Sequence, residues 1–282
     1  MLQSELLKIG SNFLKKKLIH SYQIDSEVLL AEILGKPREN ILLNSDLKIS
    51  QTNIKIFNKL IKRRGISKVP IAYLLKKKEF WSFNINVSKD VLIPRPETEL
   101  LVEKLVSIYK GQKPFILDVG TGSGCIIISL LKELNNARGV AIDISNKAIV
   151  LAKNNSINNN TSNRIKFAKS CIKDVHRTGF DLIVSNPPYI TSNQLKNLDV
   201  TIKHFEPKIA LDGGNDGLDV IRKLIYKSGK ILKRNGLLAL EIGNGQYKKV
   251  SQILKKNKFI EKFLVKDYRD NIRCIISALR HY

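Results

Sequence analysis

The stretch FILDVGTGSG, residues 115–124, joins a predicted strand to a glycine-rich turn, and it decides the fold class. Residues 115–119 are apolar apart from Asp118 and predict a strand, and a helix is predicted to begin near residue 124. A glycine-rich turn between a strand and a helix lets a ligand approach the backbone closely. The stretch therefore predicts an α/β protein with a ligand-binding turn after its first sheet strand.

Strand and helix patterns alternate through the rest of the chain. The predicted strands are 115–119, 138–143, 164–168, 180–185, 236–242, 260–266 and 273–279, and the predicted helices lie near 124–134, 146–157, 217–232 and 246–257. Alternation of this kind predicts a parallel sheet with helices on both faces. Only a short segment separates the last two strands, which are therefore predicted to pair antiparallel at one edge.

Three domains or segments are predicted. Residues 1–77 show the spacing of short amphipathic helices, with Asp25-Ser26 predicted to cap a helix from Val28 to Leu34. Residues 78–98 are predicted to form a hairpin and a proline-rich hinge, and residues 99–282 to carry the sheet. We interpret the helical domain as a recognition domain for a partner, with a purely structural cap as the open alternative.

The composition limits which class of protein this chain can be and predicts the cellular compartment in which it acts. The chain has 282 residues, 43% of them hydrophobic and 26% charged, as expected of a globular protein with a large core. No apolar run is long enough to span a bilayer, and the N terminus lacks the pattern of a signal peptide. Three widely spaced cysteines predict free thiols, with no disulfide and no metal site. These observations predict a cytoplasmic protein.

The net charge is +24, from 49 Lys and Arg against 25 Asp and Glu. A basic protein is attracted to nucleic acid, so weak contact with ribosomal or transfer RNA is one interpretation. The charge is spread along the chain, however, and a bias in coding composition explains it equally well.

Two carboxylates indicate which ligand the glycine turn binds. Asp143 ends the next predicted strand, where a carboxylate can accept both hydroxyls of a ribose. A dinucleotide is the rival ligand, but its G-x-G-x-x-G spacing is not met, because Cys125 stands where the third glycine should be. Asp118 would also repel a pyrophosphate. A cationic ligand with a ribose and no phosphate, S-adenosylmethionine, fits both carboxylates.

The tetrapeptide Asn186-Pro187-Pro188-Tyr189 follows the strand 180–185 directly. Two prolines end the strand, since neither can donate a ladder hydrogen bond. The tetrapeptide presents an amide oxygen, a backbone carbonyl and an aromatic ring at the carboxyl end of a central strand. Two acceptors can hold a substrate –NH2 group while the ring packs on the flat group that carries it. An ordinary loop is the alternative interpretation of these four residues alone.

Several motifs together resemble the HemK/PrmC family, the protein-(glutamine-N5) methyltransferases of peptide-chain release factors. They are residues 93–99 (IPRPETE), 117–124, 184–190, Glu206-Pro207 with Ala210-Leu211, residues 214–217 (GNDG), and the segment from Asp267 to Arg273. The resemblance extends from about residue 70 to the C terminus, and the family also has a helical N-terminal domain of this size. It implies a class I (Rossmann-like) S-adenosylmethionine-dependent methyltransferase sheet with a small all-helical N-terminal domain, and release factors as the substrate partners.

The resemblance also implies site residues. The catalytic and substrate-binding residues would be Asn186, Pro187, Pro188 and Tyr189, and the cofactor-binding residues would be Gly120, Thr121, Gly122, Ser123, Gly124, Asp143 and Asn186. From the residues themselves we add Asp118 and Ile172 on the cofactor side and Arg95 on the substrate side. Two positions depart from the family pattern. Cys171-Ile172 stands where an Asp-Trp pair often flanks the adenine, and Arg269 stands where glycine is expected, so the last turn is predicted to differ.

Two other functions remain open from the residues. One is an adenine-N6 methyltransferase acting on RNA or DNA, which would share the tetrapeptide but would need an element that recognises a flipped base. The other is a non-catalytic protein that binds the cofactor or RNA. An intact Asn186 with both prolines argues against the second.

Overall fold

The computed structural model describes residues 1–280, so the last two residues of the predicted domain 99–282 lie outside the described range. In chain order the helices are α1 (Gln3–Lys16), α2 (Tyr22–Leu34), α3 (Arg38–Leu43), α4 (Gln51–Gly65), α5 (Ile71–Leu75), α6 (Pro96–Tyr109), α7 (Cys125–Glu133), α8 (Asn146–Asn158), α9 (Val200–Phe205), α10 (Asp219–Ile231) and α11 (Tyr247–Lys256). The strands are β1 (Lys77–Phe80), β2 (Phe83–Asn86), β3 (Phe115–Val119), β4 (Arg138–Asp143), β5 (Ile165–Lys169), β6 (Phe180–Ser185), β7 (Leu232–Glu241), β8 (Phe259–Lys266) and β9 (Ile272–Leu279).

The chain divides into two compact units. One, the helical unit, comprises Met1–Lys77 together with α9. Its core is a single apolar cluster that includes Leu14, Leu30 and Phe57, and Phe205 of α9 packs against the same cluster. The other, the sheet unit, comprises Lys78–Asp199 and the chain from Glu206 onward.

One helix start in the helical unit was predicted wrongly. Helix α2 begins at Tyr22, so Asp25 and Ser26 lie inside its first turns instead of capping it. Both residues are buried, and the Asp25 carboxylate accepts from Nε of Arg64 at 2.6 Å. Asp25 therefore forms a buried ion pair with α4. Aspartate is also a common capping residue, but here it lies inside the helix and not at its start.

The sheet unit contains a seven-stranded sheet in the order β5-β4-β3-β6-β7-β9-β8. Strands β5, β4, β3, β6 and β7 are parallel to one another, and β9 is antiparallel to both of its neighbours. The predicted mostly parallel sheet with an antiparallel edge is confirmed. Strand β7 begins four residues before the predicted strand 236–242, with a register irregularity against β6.

Helices cover both faces of this sheet. Leu117 and Ile183 pack in one cluster with side chains of α10 and α11, such as Ile221 and Val250. Successive side chains of a strand point to opposite faces. On the other face, a Cβ added to Gly139 of β4 would lie 2.7 Å from Cδ1 of Ile127 on α7. Burial on both sides explains why β3 and β6 have little polar alternation.

The turn between β8 and β9 accommodates Arg269 without strain. The left-handed residue of this turn is Asp270, with φ +63°, so glycine is not required at residue 269. The Asp267 carboxylate holds the turn by accepting the backbone N–H groups of Arg269 and Asn271 at 2.9 and 3.0 Å.

Strand order also places the binding site. Strand β3 has β4 on one side and β6 on the other. The chain adds β4 and β5 on the first side of β3 and then returns to add β6 on the second, so the strand order reverses at β3. In open α/β sheets such a reversal of strand order leaves a crevice at the carboxyl ends of the strands. No helix within residues 1–280 has the length and apolarity needed to cross a membrane.

Candidate active site

A cavity of about 320 Å³ lies at the carboxyl ends of β3, β4 and β6 in the sheet unit. Its lining brings together most of the predicted site residues: Arg95, Gly120, Thr121, Gly122, Ser123, Asp143, Ile172, Asn186, Pro187 and Pro188. The loop that precedes α6 and the segment from Pro207 to Asp212 complete the walls. A concave site of this volume suits a small-molecule ligand.

The glycine turn leaves β3 with its backbone folded back on β4. The N–H groups of Gly120 and Thr121 both donate to the Ile142 carbonyl oxygen, at 2.9 and 3.0 Å. Gly120 has φ +70°, and a Cβ there would meet nothing within 4 Å. Because Gly120 lines the cavity, that open space is room for a ligand against bare backbone.

Gly124 has a different role from the two glycines before it. Its N–H donates to the Thr121 carbonyl oxygen at 2.8 Å. A Cβ at this position, where φ is +83°, would lie 3.0 Å from Ile128 and 3.2 Å from Ala152. The residue therefore lets α7 pack closely against α8, while a direct contact of Gly124 with the cofactor stays a prediction.

Asp118 lies beneath the turn and is fully buried. Its Oδ2 accepts from the Thr121 hydroxyl at 2.7 Å, and its Oδ1 has no hydrogen-bond partner within the described chain. Burial, with the negative charge of Asp143, raises the pKa of Asp118 to about 7, although the Thr121 hydrogen bond opposes the rise. Thr121 lines the cavity and Asp118 does not, so a contact of Asp118 with the cofactor stays a prediction.

Asp143 ends β4 and connects the two loops at this end of the sheet. One carboxylate oxygen accepts from the Gly122 N–H at 3.0 Å and the other from the Ser145 N–H at 2.9 Å. A carboxylate can accept about four hydrogen bonds, so each oxygen keeps an acceptor position for a ligand. This geometry suits a ribose diol.

Two isoleucines provide the apolar part of the cavity beside Asp143. Ile172 is buried and lines the cavity, and its packing on the adenine stays a prediction. Ile144 also lines the cavity and is 48% exposed, which is unusual for a large apolar side chain beside a polar turn. Ile144 was not predicted from the sequence; its signal was an apolar residue directly after Asp143, the aspartate predicted to bind a ribose.

The tetrapeptide 186–189 begins where β6 ends, and the adjoining strand end is fixed. The Ser185 hydroxyl donates to the Val119 carbonyl oxygen at 2.7 Å, which ties the ends of β6 and β3 together. Asn186, Pro187 and Pro188 line the cavity. Tyr189 is held elsewhere: its hydroxyl accepts from Nη2 of Arg273 at 3.2 Å, and its ring packs at the edge of the sheet core.

A buried polar network lies behind Asn186. Nδ2 of Asn186 donates to the Thr98 hydroxyl at 3.1 Å, and that hydroxyl donates to Oε2 of Glu241 at 2.7 Å. Tyr189 donates to the other Glu241 oxygen at 3.4 Å, and the Arg273 guanidinium lies 3.6 Å from it. Neither Thr98 nor Glu241 was given a role from the sequence; a carboxylate at the end of a buried strand was the available signal.

Arg95 lines the cavity but is already paired. Its Nη2 donates to both carboxylate oxygens of Glu206, at 2.7 and 2.8 Å, and the Glu206 side chain is 2% exposed. The ion pair joins the loop before α6 to the segment that follows α9. The predicted contact of Arg95 with substrate remains a prediction.

S-adenosylmethionine fits the groups that surround this cavity. The open backbone at Gly120 admits a ligand, and the spare acceptor positions of Asp143 suit ribose hydroxyls. Beneath the turn, outside the lining, the buried Oδ1 of Asp118 has no partner within the described chain and favours positive charge nearby. Ile144 and Ile172 offer an apolar surface for a flat base.

The sheet and this cavity define the class of protein: an S-adenosylmethionine-dependent methyltransferase. Residues 96–206 match the family model described as the methyltransferase small domain, and residues 5–75 match the PrmC N-terminal domain. A release factor glutamine methyltransferase of Clostridium botulinum is 40% identical over 281 residues, covering 98% of each chain. The chain belongs to the release factor glutamine methyltransferase family.

Two further proteins place this match in context. A bifunctional methyltransferase of Rickettsia felis is 36% identical over 97% of this chain, and the chain spans 57% of that protein's length. A methyltransferase structure from Pyrococcus furiosus has a TM-score of 0.54 and 17% identity, covering 82% of this chain and 98% of the other. The structural likeness supports the fold alone.

Proposed function

We propose that this protein methylates the side-chain amide nitrogen (N5) of the glutamine in the Gly-Gly-Gln loop of peptide-chain release factors. Family membership along nearly the whole chain supports this substrate. The observation that carries the proposal is the fixed amide of Asn186: its Nδ2 is used by Thr98, so its Oδ1 remains as an acceptor at a cavity suited to the methyl donor.

Most of the residues assigned to the cofactor line the cavity. The backbone of residues 120–123, the Asp143 carboxylate and the side chains of Ile144 and Ile172 would hold S-adenosylmethionine. When bound, S-adenosylmethionine supplies an electrophilic methyl group. The contribution of these residues is position, because holding two reactants in the correct orientation can lower a barrier by ~7–11 kcal/mol in ideal cases.

Asn186 and Pro187 would supply the acceptors for the substrate amide. An amide nitrogen is a poor nucleophile, because its lone pair is delocalised into the carbonyl group. Oδ1 of Asn186 and the carbonyl oxygen of Pro187 can accept its two N–H groups, which orients the nitrogen and stabilises the positive charge that develops on it. The proton is lost after methylation, so no side chain needs to remove it beforehand.

The helical unit is our candidate for recognition of the release factor. Residues 78–98 would connect this recognition unit to the catalytic sheet unit. The unit is a separate compact body with its own core, which suits an independent binding function. Helix α3 exposes two adjacent leucines, Leu42 and Leu43. We further propose that the protein acts in the cytoplasm, where its three free cysteines would stay reduced.

The test is methyl transfer from labelled S-adenosylmethionine to purified release factor, in parallel with the same factor carrying Gln→Ala in its Gly-Gly-Gln loop and with total RNA. Label should enter only the intact factor, and mass spectrometry should find a single methyl group on the glutamine. Label in RNA would replace this proposal with the adenine-N6 activity. Label in the Gln→Ala factor would assign a different residue as the acceptor.

A further inference from the structure

Glu241 is buried at the end of β7, and it is connected to both ends of the tetrapeptide 186–189. Through Thr98 it reaches Asn186, and directly it accepts from the Tyr189 hydroxyl. We propose that Glu241 is a positioning residue that fixes which terminal atom of the Asn186 amide faces the cavity. This inference rests on the proposed function, because it explains how that site keeps an acceptor in place.

The orientation of the Asn186 amide depends on which of its neighbours can donate a hydrogen bond. An amide side chain carries an acceptor oxygen and a donor –NH2 group that differ little in shape, so packing alone does not choose between its two orientations. An ionised carboxylate only accepts, so the Thr98 hydroxyl must give its single proton to Glu241. The Thr98 oxygen can then only accept, and the –NH2 group of Asn186 must turn toward it. Oδ1 is left for the cavity.

Several groups around Glu241 decide whether it is ionised. The pKa of Glu241 lies above its ordinary value, chiefly because of burial, and the nearby Glu97 carboxylate acts in the same direction; the hydrogen-bond arrangement above therefore holds at pH values above this raised pKa, where Glu241 is ionised. The Thr98 hydroxyl, the Arg273 guanidinium and the Tyr189 hydroxyl lower it. The guanidinium is held on the side of Oε1, 3.6 Å away, while Oε2 faces Thr98.

We use the word relay for the two hydrogen bonds that run from Asn186 to Thr98 and from Thr98 to Glu241. Because of the asymmetry around Glu241, Glu241→Gln should reverse the direction of both hydrogen bonds. Arg273 favours the amide oxygen of the new side chain on its own side, so the –NH2 group would face Thr98 and donate to it. The Thr98 hydroxyl would then donate to Asn186, whose oxygen would turn away from the cavity. The substrate –NH2 group would meet a donor in place of an acceptor.

The experiment measures kcat for release-factor methylation in Glu241→Gln, Thr98→Val, Thr98→Ser and the double variant Glu241→Gln/Thr98→Val. We expect kcat to fall on the order of 10²-fold in Glu241→Gln and in Thr98→Val, as when one preorganised polar contact is lost. Donor affinity should stay within about threefold, because the glycine turn and the Asp143 carboxylate are unchanged in these variants. Thr98→Ser keeps the hydroxyl and should therefore keep most of the wild-type activity that Thr98→Val loses.

The double variant separates positioning from a structural role. Without the Thr98 hydroxyl, Glu241 no longer acts on Asn186, so Glu241→Gln should add less than about threefold on that background. Ser277→Ala is the matched control, since this buried hydroxyl on β9 donates only to the Leu238 carbonyl oxygen of β7. It should leave kcat unchanged.

Each outcome decides between explanations. An inactive wild-type enzyme would contradict the proposed function. An active wild type with full activity in Thr98→Val, or additive losses in the double variant, would overturn the role of Glu241 alone. Should Glu241→Gln fail to fold, the Thr98→Val and Thr98→Ser pair still decides, because equal activity in these two variants contradicts the relay.

Discussion

The N–H group of Gly122 donates to Oδ2 of Asp143 at 3.0 Å, which joins the turn after β3 to the end of β4. The other carboxylate oxygen of Asp143 holds the Ser145 N–H at the start of α8. One side chain therefore shapes the glycine turn and also presents acceptors to the cavity. Its substitution should affect cofactor binding in two ways.

Asp143→Ala is expected to weaken S-adenosylmethionine binding strongly, because hydrogen bonds to a charged acceptor contribute roughly 1.5–3 kcal/mol each. Titration calorimetry measures the effect directly. Asp143→Asn is the matched control: it keeps one acceptor and the size of the side chain, so its affinity should fall between alanine and wild type. Unchanged affinity in Asp143→Ala would show that the ribose site is assigned to the wrong strand.

Asn186→Ala is expected to lose turnover on the order of 10²- to 10³-fold, because it would remove the acceptor that we propose for the reacting nitrogen. Single-turnover kinetics at saturating donor would measure the loss. Stability should change little, since Asn186 is only partly buried. Turnover within a few-fold of wild type would contradict the assigned role.

Arg95→Met is expected to lower the free energy of unfolding by ~3–5 kcal/mol, because it leaves the buried Glu206 carboxylate without its partner. Urea denaturation would measure the change. Arg95→Met combined with Glu206→Gln should recover much of that loss, since no unpaired charge then remains. A loss in the double variant as large as in the single one would show that the ion pair is not the cause.

The central strands could be predicted from the sequence because burial on both faces leaves a local signal. Strands β3, β4 and β6 have the predicted bounds, and the glycine turn and tetrapeptide that follow β3 and β6 are adjacent to them in the chain. The carboxyl ends of neighbouring parallel strands meet at one edge. Local patterns were therefore sufficient to bring Gly120, Asp143 and Asn186 to one cavity.

The network behind Asn186 could not be predicted in the same way. Thr98 and Asn186 are 88 residues apart, and Thr98 and Glu241 are 143 apart, so their contacts exist only once α6 and β7 pack around β6. The wrong cap at Asp25 has a related cause. An aspartate near a helix start is the usual sign of a cap, whereas its partner here, Arg64, lies 39 residues away.

Asp118→Asn is expected to make stability less dependent on pH. The folded pKa of Asp118 is raised to about 7, so the folded state binds a proton more tightly than the unfolded state. The stability that this proton confers is present at acid pH and is lost as pH rises through about 7. The total effect is at most about 4 kcal/mol, at ~1.4 kcal/mol for each unit of pKa.

Urea denaturation of wild type and Asp118→Asn between pH 5 and about 8 would measure this difference. The variant should gain stability relative to wild type as pH rises, because its amide never has to ionise in the interior. Asp174→Asn is the matched control, because it makes the same change at another carboxylate close to the cavity, two residues after the lining residue Ile172. Parallel pH profiles for wild type and Asp118→Asn would show that Asp118 is ionised throughout.

The last prediction tests recognition by the helical unit. Leu42 and Leu43 on α3 are 54% and 80% exposed, an adjacent apolar pair at the surface. A leucine side chain that becomes buried on binding contributes roughly 1.5–3 kcal/mol. Leu42→Ser/Leu43→Ser should therefore raise KM for the intact release factor at least about tenfold. KM for a short Gly-Gly-Gln peptide should stay unchanged, because the peptide would reach only the Asn186 site. Tyr268→Ser is the control: Tyr268 is 96% exposed on the sheet unit, and its substitution should leave both KM values as they are. Equal effects of the leucine variant on both substrates would assign the helical unit a structural role, and an unchanged KM for the intact factor would place recognition on another surface.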